Sequence, residues 1–374
     1  MFKTKKLFLL IICFIFSKYS LADMSISGYT EFFAGSADQS TYQGAANHGI
    51  DKAGLDNGTY SRITANYSST LDNGLDLAGT FGMTARDCQG DKTGNCDVVN
   101  DNFITISGGF GSVSIGERFD AGALMLSRMT ASGPTAEPDG ANYVSFYSAD
   151  GANFYGSANE KNYANNSMKV LYSSNTFNGF SFAASYTPNY AEAGAGGTNG
   201  QATTTGDNSE WASFNDILAI YGKYAMEMEG IGLEVVYGVQ SGNAGQIAGN
   251  NYNDLDESSY SLKLTYGGFS ADYRKNEANN SGFIKNGTAG NDEGTSVCGE
   301  YAFESIRLGA CSVETSFTDA NNLTNSAETL TYAADYSLGG GVTVGVLYFD
   351  VEQTANSQIR TDVDGLMTMI AVGF

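Results

Sequence analysis

Apolar and polar residues alternate along most of this chain with a period of two. At the C-terminal end, Leu366, Thr368, Ile370, Val372 and Phe374 fall on one face, and Met367, Met369, Ala371 and Gly373 on the other. Successive side chains of an extended strand point to opposite faces, so the pattern predicts strands. It repeats along the chain. Ile63, Ala65 and Tyr67 oppose Arg62, Thr64, Asn66 and Ser68, while Leu75, Leu77, Phe81 and Met83 oppose Asp76, Thr80, Thr84 and Arg86. Val113 and Ile115 oppose Ser112, Ser114 and Arg118, and Phe180, Phe182 and Tyr186 oppose Ser181 and Ser185. Tyr260, Leu262, Leu264 and Tyr266 oppose Ser261, Lys263 and Thr265, and Phe269, Ala271 and Tyr273 oppose Asp272 and Arg274. In these strands charge sits on the face away from the aromatic rings.

The connections alternate too. Short turns fall at 72–74, 108–111, 175–179, 229–232, 267–268, 304–305 and 338–341, where Gly and Asn-Gly sequences favour tight reversals. Long polar segments fall at 36–58, 87–100, 119–163, 189–213, 241–257, 277–294, 318–326 and 353–362. Seven turns alternating with eight loops predict sixteen strands in one continuous meander. A soluble sandwich also alternates, but a sandwich this long normally divides into domains joined by linkers, and no linker is visible. The expected fold is all-β: a transmembrane antiparallel β-barrel of about sixteen strands, with short periplasmic turns and long external loops.

The N-terminus fits export. Lys3, Lys5 and Lys6 precede an apolar stretch from Leu7 to Phe16, and Ser20-Leu21-Ala22 offers small residues for cleavage before Asp23. The expected organisation is a cleaved signal peptide, 1–22, and one barrel domain, 23–374. Ile12 before Cys13 does not suit a lipoprotein anchor. The first 22 residues hold four lysines and no acid, so removing them takes the formal charge from −22 to −26. Such an excess argues against nucleic acid as a partner and favours cations. The chain has 47 Gly, 23 Tyr and 22 Phe against 3 Pro, as expected of strands, turns and interfacial aromatic girdles.

Four cysteines follow the signal, which in an exported chain suggests two disulfides. Three pairings are open, and Cys88–Cys96 with Cys298–Cys311 is favoured over free thiols. If Glu304-Ser305 is a tight turn, Phe303 faces Ile306 and Cys298 faces Cys311 across a hairpin.

Several segments resemble general diffusion porins of Gram-negative outer membranes. They are Ser61-Arg62-Ile63 with Leu71–Leu75 and Gly79-Thr80-Phe81, the run Gly109–Arg118, and Asn166-Ser167 with Tyr172-Ser173-Ser174, Phe177, Gly179-Phe180 and Tyr186. Phe374 completes the resemblance, which implies that the terminal aromatic strand is an address read by the barrel-insertion machinery. It also implies an outer-membrane location, a homotrimer, contact with the lipid bilayer and lipopolysaccharide, and a water-filled pore for small hydrophilic solutes and ions. The sequence departs from the family in the spacing between Ser167 and Tyr172, in lacking a proline near Ser174, and in lacking an acidic Pro-Glu-Phe-Gly-Gly-Asp tip.

The resemblance further implies that loop 119–163 folds into the lumen, where charged side chains set selectivity. Glu137, Asp139 and Asp150 are its expected acids. Arg62, Arg86 and Arg118 are expected to form a basic wall, with Arg128, Lys169 and Lys263 as further members. The excess of acid implies cation preference. Outward Gly28 and Gly79 suit close packing of one wall against another barrel. The acidic stretches Asn253–Glu257 and Asp51–Gly58 lack calcium-loop spacing, so no cofactor and no dedicated metal site is expected, only divalent cations held loosely at external loops.

Catalysis has no support in these residues. The one histidine, His48, has no nucleophile partner, no Gly-x-Ser-x-Gly occurs, and Gly116-Glu117-Arg118 is not a phosphate loop. Two other functions fit the same wall. One is a substrate-selective channel, which needs aromatic residues along the lumen; the other is a surface-binding barrel with a plugged pore.

Overall fold

A computed structural model describes residues 23–42, 54–86, 97–126, 146, 167–189, 214–244, 246–247, 250–282, 285, 291–318, 324–355 and 358–374. The first half of the wall is β1 (Asp23–Tyr42), β2 (Asp56–Thr70), β3 (Asp76–Arg86), β4 (Asp97–Gly108), β5 (Gly111–Glu117), β6 (Met168–Ser173), β7 (Phe180–Asn189) and β8 (Phe214–Met228). The second half is β9 (Ile231–Ala244), β12 (Leu255–Tyr266), β13 (Phe269–Asn279), β14 (Asn291–Phe303), β15 (Ile306–Thr318), β16 (Thr324–Gly339), β17 (Val342–Ala355) and β18 (Gln358–Gly373). Between β9 and β12 lies a small hairpin, β10 (Gln246–Ile247) and β11 (Asn250–Asn251). Among the described residues one short helix, α1 (Ala121–Met125), follows β5.

The sixteen wall strands pair antiparallel in chain order, and β18 returns to β1, so the sheet is a closed barrel as the alternation predicted. Closure removes the open edges that a sheet otherwise presents. The seam is sealed at its end by a reciprocal pair: Gly28 N–H donates to the Phe374 carbonyl at 3.0 Å, and Phe374 N–H donates to the Gly28 carbonyl at 2.9 Å.

All seven short turns fall where predicted. The Asn73-Gly74 turn is closed by Gly74 N–H to the Leu71 carbonyl, and Gly74 takes the positive φ of +81° that glycine adopts without steric cost. All but one of the long loops are shorter than predicted, because strands continue past the apolar alternation; the connection between β5 and β6 spans 118–167, longer than the predicted 119–163. β17 reaches Ala355 and β18 starts at Gln358, inside the predicted loop 353–362. β1 likewise runs to Tyr42, inside 36–58. Above the lipid band an outward side chain need not be apolar, so the sequence signal stops while the hydrogen-bond ladder goes on.

Exposure alternates with the sequence. On β1, Phe32 is 51% exposed, whereas Glu31 and Phe33 on either side are 9% and 7% exposed. The exposed rows, including Ile63, Phe81, Ile115, Phe182, Leu264 and Ile370, form the outward apolar band. Gly28 and Gly79 do not leave a flat outer surface. A Cβ on Gly28 would meet the Phe374 ring at 2.7 Å, and one on Gly79 would meet the Tyr67 ring at 1.9 Å. Each glycine seats an aromatic ring of its own chain, which corrects their reading as packing points for another barrel.

The hairpin β14–β15 turns at Glu304-Ser305 with Cys298 facing Cys311, and the two form a disulfide with Cα atoms 4.1 Å apart. Cys88 and Cys96 lie outside the described residues.

Candidate functional site

The lumen is lined by the inward rows of the strands, and its first charged wall is β2–β6. Arg62 (β2) pairs with Asp101 (β4), donating from Nη2 to Oδ2. Arg118, just past β5, donates to Ser114 Oγ, and its guanidinium lies over the Phe103 ring, 4.3 Å from the centroid. Lys169 (β6) is buried, and its ammonium donates to the carbonyls of Arg118 and Ser167. Those residues stand at the two roots of the connection between β5 and β6. Lys169 therefore clamps that connection where it leaves and rejoins the wall, and its charge is spent inside the protein.

Sequence reasoning grouped Lys263 with these bases, but the fold does not bring it to them. β12 lies eight strands from β2 in a barrel of sixteen, so Lys263 is on the opposite wall. There it stands in register between Glu234 (β9) and Asp272 (β13). Lys223 (β8) reaches Glu234 at 3.5 Å, and both side chains are partly exposed to the lumen. Alternating charges thus ladder across β8, β9, β12 and β13, a favourable arrangement for cross-strand neighbours. Arg86 falls at the end of β3, in register with Tyr60; its side chain lies outside the described residues. So do Arg128, Glu137, Asp139 and Asp150.

The connection after β5 touches the inner wall at two described points. The first is α1. Asp120 caps it, its side chain accepting from Ala123 N–H at 2.8 Å, and Ala121 N–H donates to Ser185 Oγ on β7 at 3.1 Å. The helix packs on β7, β8 and β9 with Tyr221 fully buried beneath it. A Cβ on Gly122 would lie 2.8 Å from the Tyr221 ring, and one on Gly238 2.1 Å from it. The ring is held between two glycines because nothing larger fits on either side.

The second point is Phe146. It is 1% exposed, and its ring meets Phe33 edge-on with centroids 6.0 Å apart. It belongs to an apolar cluster on the inward face of β14–β18 and β1 that includes Leu347, Phe349, Val351, Met367 and Met369. Strands 7–9 and the β17–β18–β1 seam are centred half a circumference apart. The two anchors thus sit on facing walls.

Sequence reading passed over Phe146, Asp101 and Tyr221. A signal for the Phe146 seat exists: from Val344 to Phe349 both faces of β17 are uncharged and mostly apolar. A strand that is apolar on both faces is covered on both faces.

Among the described residues no group of three or more His, Cys, Asp or Glu side chains is disposed to hold a metal ion. The acids of Asn253–Glu257 are divided. Asp254 accepts from Ala244 N–H and faces Lys285 at 3.9 Å, while Glu257 is buried and accepts from Ser259. His48 is outside the described residues.

Comparison with known proteins bears on this geometry. The family profile of Gram-negative porins matches residues 9–358. No curated protein matches. Among solved structures, OmpF of Salmonella typhi, in complex with daunomycin, is similar at 13% identity and TM-score 0.62, covering 94% of this chain and 98% of that one. An anion-selective porin from Comamonas acidovorans is similar at 12% identity and TM-score 0.59, covering 94% and 100%. The trimer form of Vibrio cholerae OmpT is similar at 12% identity and TM-score 0.58, covering 94% and 99%. Identities this low speak for the fold alone.

Proposed function

This chain belongs to the Gram-negative porin family, and we propose from that premise a general pore that admits small hydrophilic solutes and prefers cations. It is an outer-membrane diffusion channel, a channel rather than an enzyme. The observation that carries the finer reading is the pair of anchors on facing walls, α1 under β7–β9 and Phe146 on the β17–β18–β1 seam. A chain held at both points narrows the lumen between them, and a narrow polar lumen selects by size and charge.

Cation preference follows from the sum of charges and not from the fold, since an anion-selective porin shares that fold. The formal charge is −22, and inward carboxylates such as Glu31, Asp101, Asp272, Asp292 and Asp335 offset the lumen bases. A negative pore raises the local concentration of cations. Glu137, Asp139 and Asp150 are proposed to add acid at the narrowing, with Arg62 and Arg118 on the wall across from it. Signal cleavage before Asp23 and a trimeric assembly, as in the Vibrio cholerae relative, complete the proposal.

The test is recording from purified protein in a planar bilayer. Stepwise conductance that scales with salt, and a reversal potential of cationic sign in a salt gradient, are the expected results. Saturation by a single sugar or organic acid would replace the general pore with a selective one, and absence of conductance would replace it with a plugged barrel.

A further inference from the structure

The outer wall carries a groove that the channel does not use. It lies across β12–β16, with a volume of about 1000 Å³. Its floor is an outward row in direct register, Ala271–Gly299–Ala310, bounded by Leu264 at one end and Tyr332 at the other. A Cβ on Gly299 would meet nothing within 4 Å, so the space above the floor is open. The next outward row toward the short turns is aromatic: Tyr266, Phe269 and Tyr301, the last two with ring centroids 4.2 Å apart. Glu229, in the β8–β9 turn, stands at the edge of that row. Among the described residues no Lys or Arg lines the groove.

We infer that this groove is a site for a zwitterionic aminophospholipid of the periplasmic leaflet. The short turns of an outer-membrane barrel face the periplasm, so the aromatic row lies at the level of that leaflet's headgroups. A carboxylate beside aromatic faces binds an ammonium by charge and by cation–π attraction. The trough of Ala and Gly beyond it takes an acyl chain, because apolar surface with small side chains allows close van der Waals contact. With Glu229 at the mouth and no base in the lining, an anionic headgroup meets a like charge and no partner. The inference rests on the membrane-spanning reading of the barrel and is independent of whether the lumen conducts.

The experiment is native mass spectrometry of the purified full-length protein after exchange into mixed micelles holding equal phosphatidylethanolamine and phosphatidylglycerol. The expected result is one retained phosphatidylethanolamine per barrel, favoured over phosphatidylglycerol by about tenfold, a factor equal to 1.4 kcal/mol. Gly299→Leu with Ala310→Leu fills the trough and is expected to abolish retention while heat-modifiable barrel mobility persists. Glu229→Lys, at an exposed turn that leaves the trough intact, is expected to invert the headgroup preference. Equal retention of the two lipids by the wild-type protein overturns the assignment, as does undiminished retention by the filled trough. Dissociation of the oligomer on filling overturns it in favour of a second copy of this chain in the groove.

Discussion

The lumen has two unlike walls. Across β8, β9, β12 and β13 the inward face carries the registered row Glu234–Lys263–Asp272 of alternating sign, flanked by Lys223 and Arg274 in the next row. Across β14–β18 and β1 it carries Cys298, Cys311, Val313, Leu347, Phe349, Met367 and Phe33, with Phe146 set into it. Porin interiors are usually described as polar, yet six of these sixteen strands share an inward apolar cluster, with Glu31, Asp292 and Asp335 elsewhere on the same strands. The difference teaches that inward residues answer to whatever covers them. Where acids and bases stand opposite one another across strands, charge is stable. Where the chain covers its own wall, apolar contact is needed, and an uncompensated charge there would be costly. Each wall also seats one anchor of the connection after β5, α1 on β7–β9 and Phe146 on the apolar cluster.

The comparison breaks most visibly at Phe146. Phe146→Ala removes a buried ring from the apolar wall, a change of about 3–5 kcal/mol for a buried aromatic. The expected result is a larger and more variable single-channel conductance with the barrel still folded. Conductance identical to wild type would mean that this wall does not hold the connection. Next is the disulfide in the same cluster. Cys298→Ser with Cys311→Ser releases a closed loop worth about 3 kcal/mol in the chain-entropy account. It is expected to lower the unfolding temperature in detergent and to leave ion selectivity unchanged, and a shift in reversal potential would contradict a purely structural role for this wall.

The charged residues should behave the opposite way. Asp101→Asn leaves Arg62 without its anionic partner at a partly buried site, a loss of about 1–3 kcal/mol. Because a lumen acid is neutralised, the reversal potential is expected to move toward anion preference. Lys263→Gln is the mildest test. Glu234, partly exposed, and Asp272, buried, would lose the base that stands between them in register, a loss of about 1 kcal/mol or less. A small gain in cation preference with no change in unfolding temperature is expected, and a fall in stability would show that the ladder is structural.

Much of the fold was legible in the sequence because its cause is local. Alternation at Tyr260–Tyr266 or Leu366–Phe374 records which side of a strand faces lipid, and Asn73-Gly74 or Glu304-Ser305 records where the chain reverses. The facing of Cys298 and Cys311 followed from one turn and a count of residues. The site was less legible. Arg62 read as a free base of the pore wall, because its partner Asp101 is two strands on. Lys169 read as a pore charge, because nothing in its neighbours along the chain tells of the carbonyls at 118 and 167 that it binds. Glu137, Asp139, Asp150 and Arg128 were read from a loop whose role came from resemblance, and they lie outside the described residues.

Strand, turn, face and disulfide register were determined by the sequence itself, since each depends on residues a few positions apart and on a fixed geometric period. The tertiary structure alone decided that Lys263 stands opposite Arg62, that Phe146 meets Phe33, and that Ala271, Gly299 and Ala310 line one groove. Those relations are set by how far around a closed ring each strand falls, and angular position accumulates only when all sixteen strands have paired.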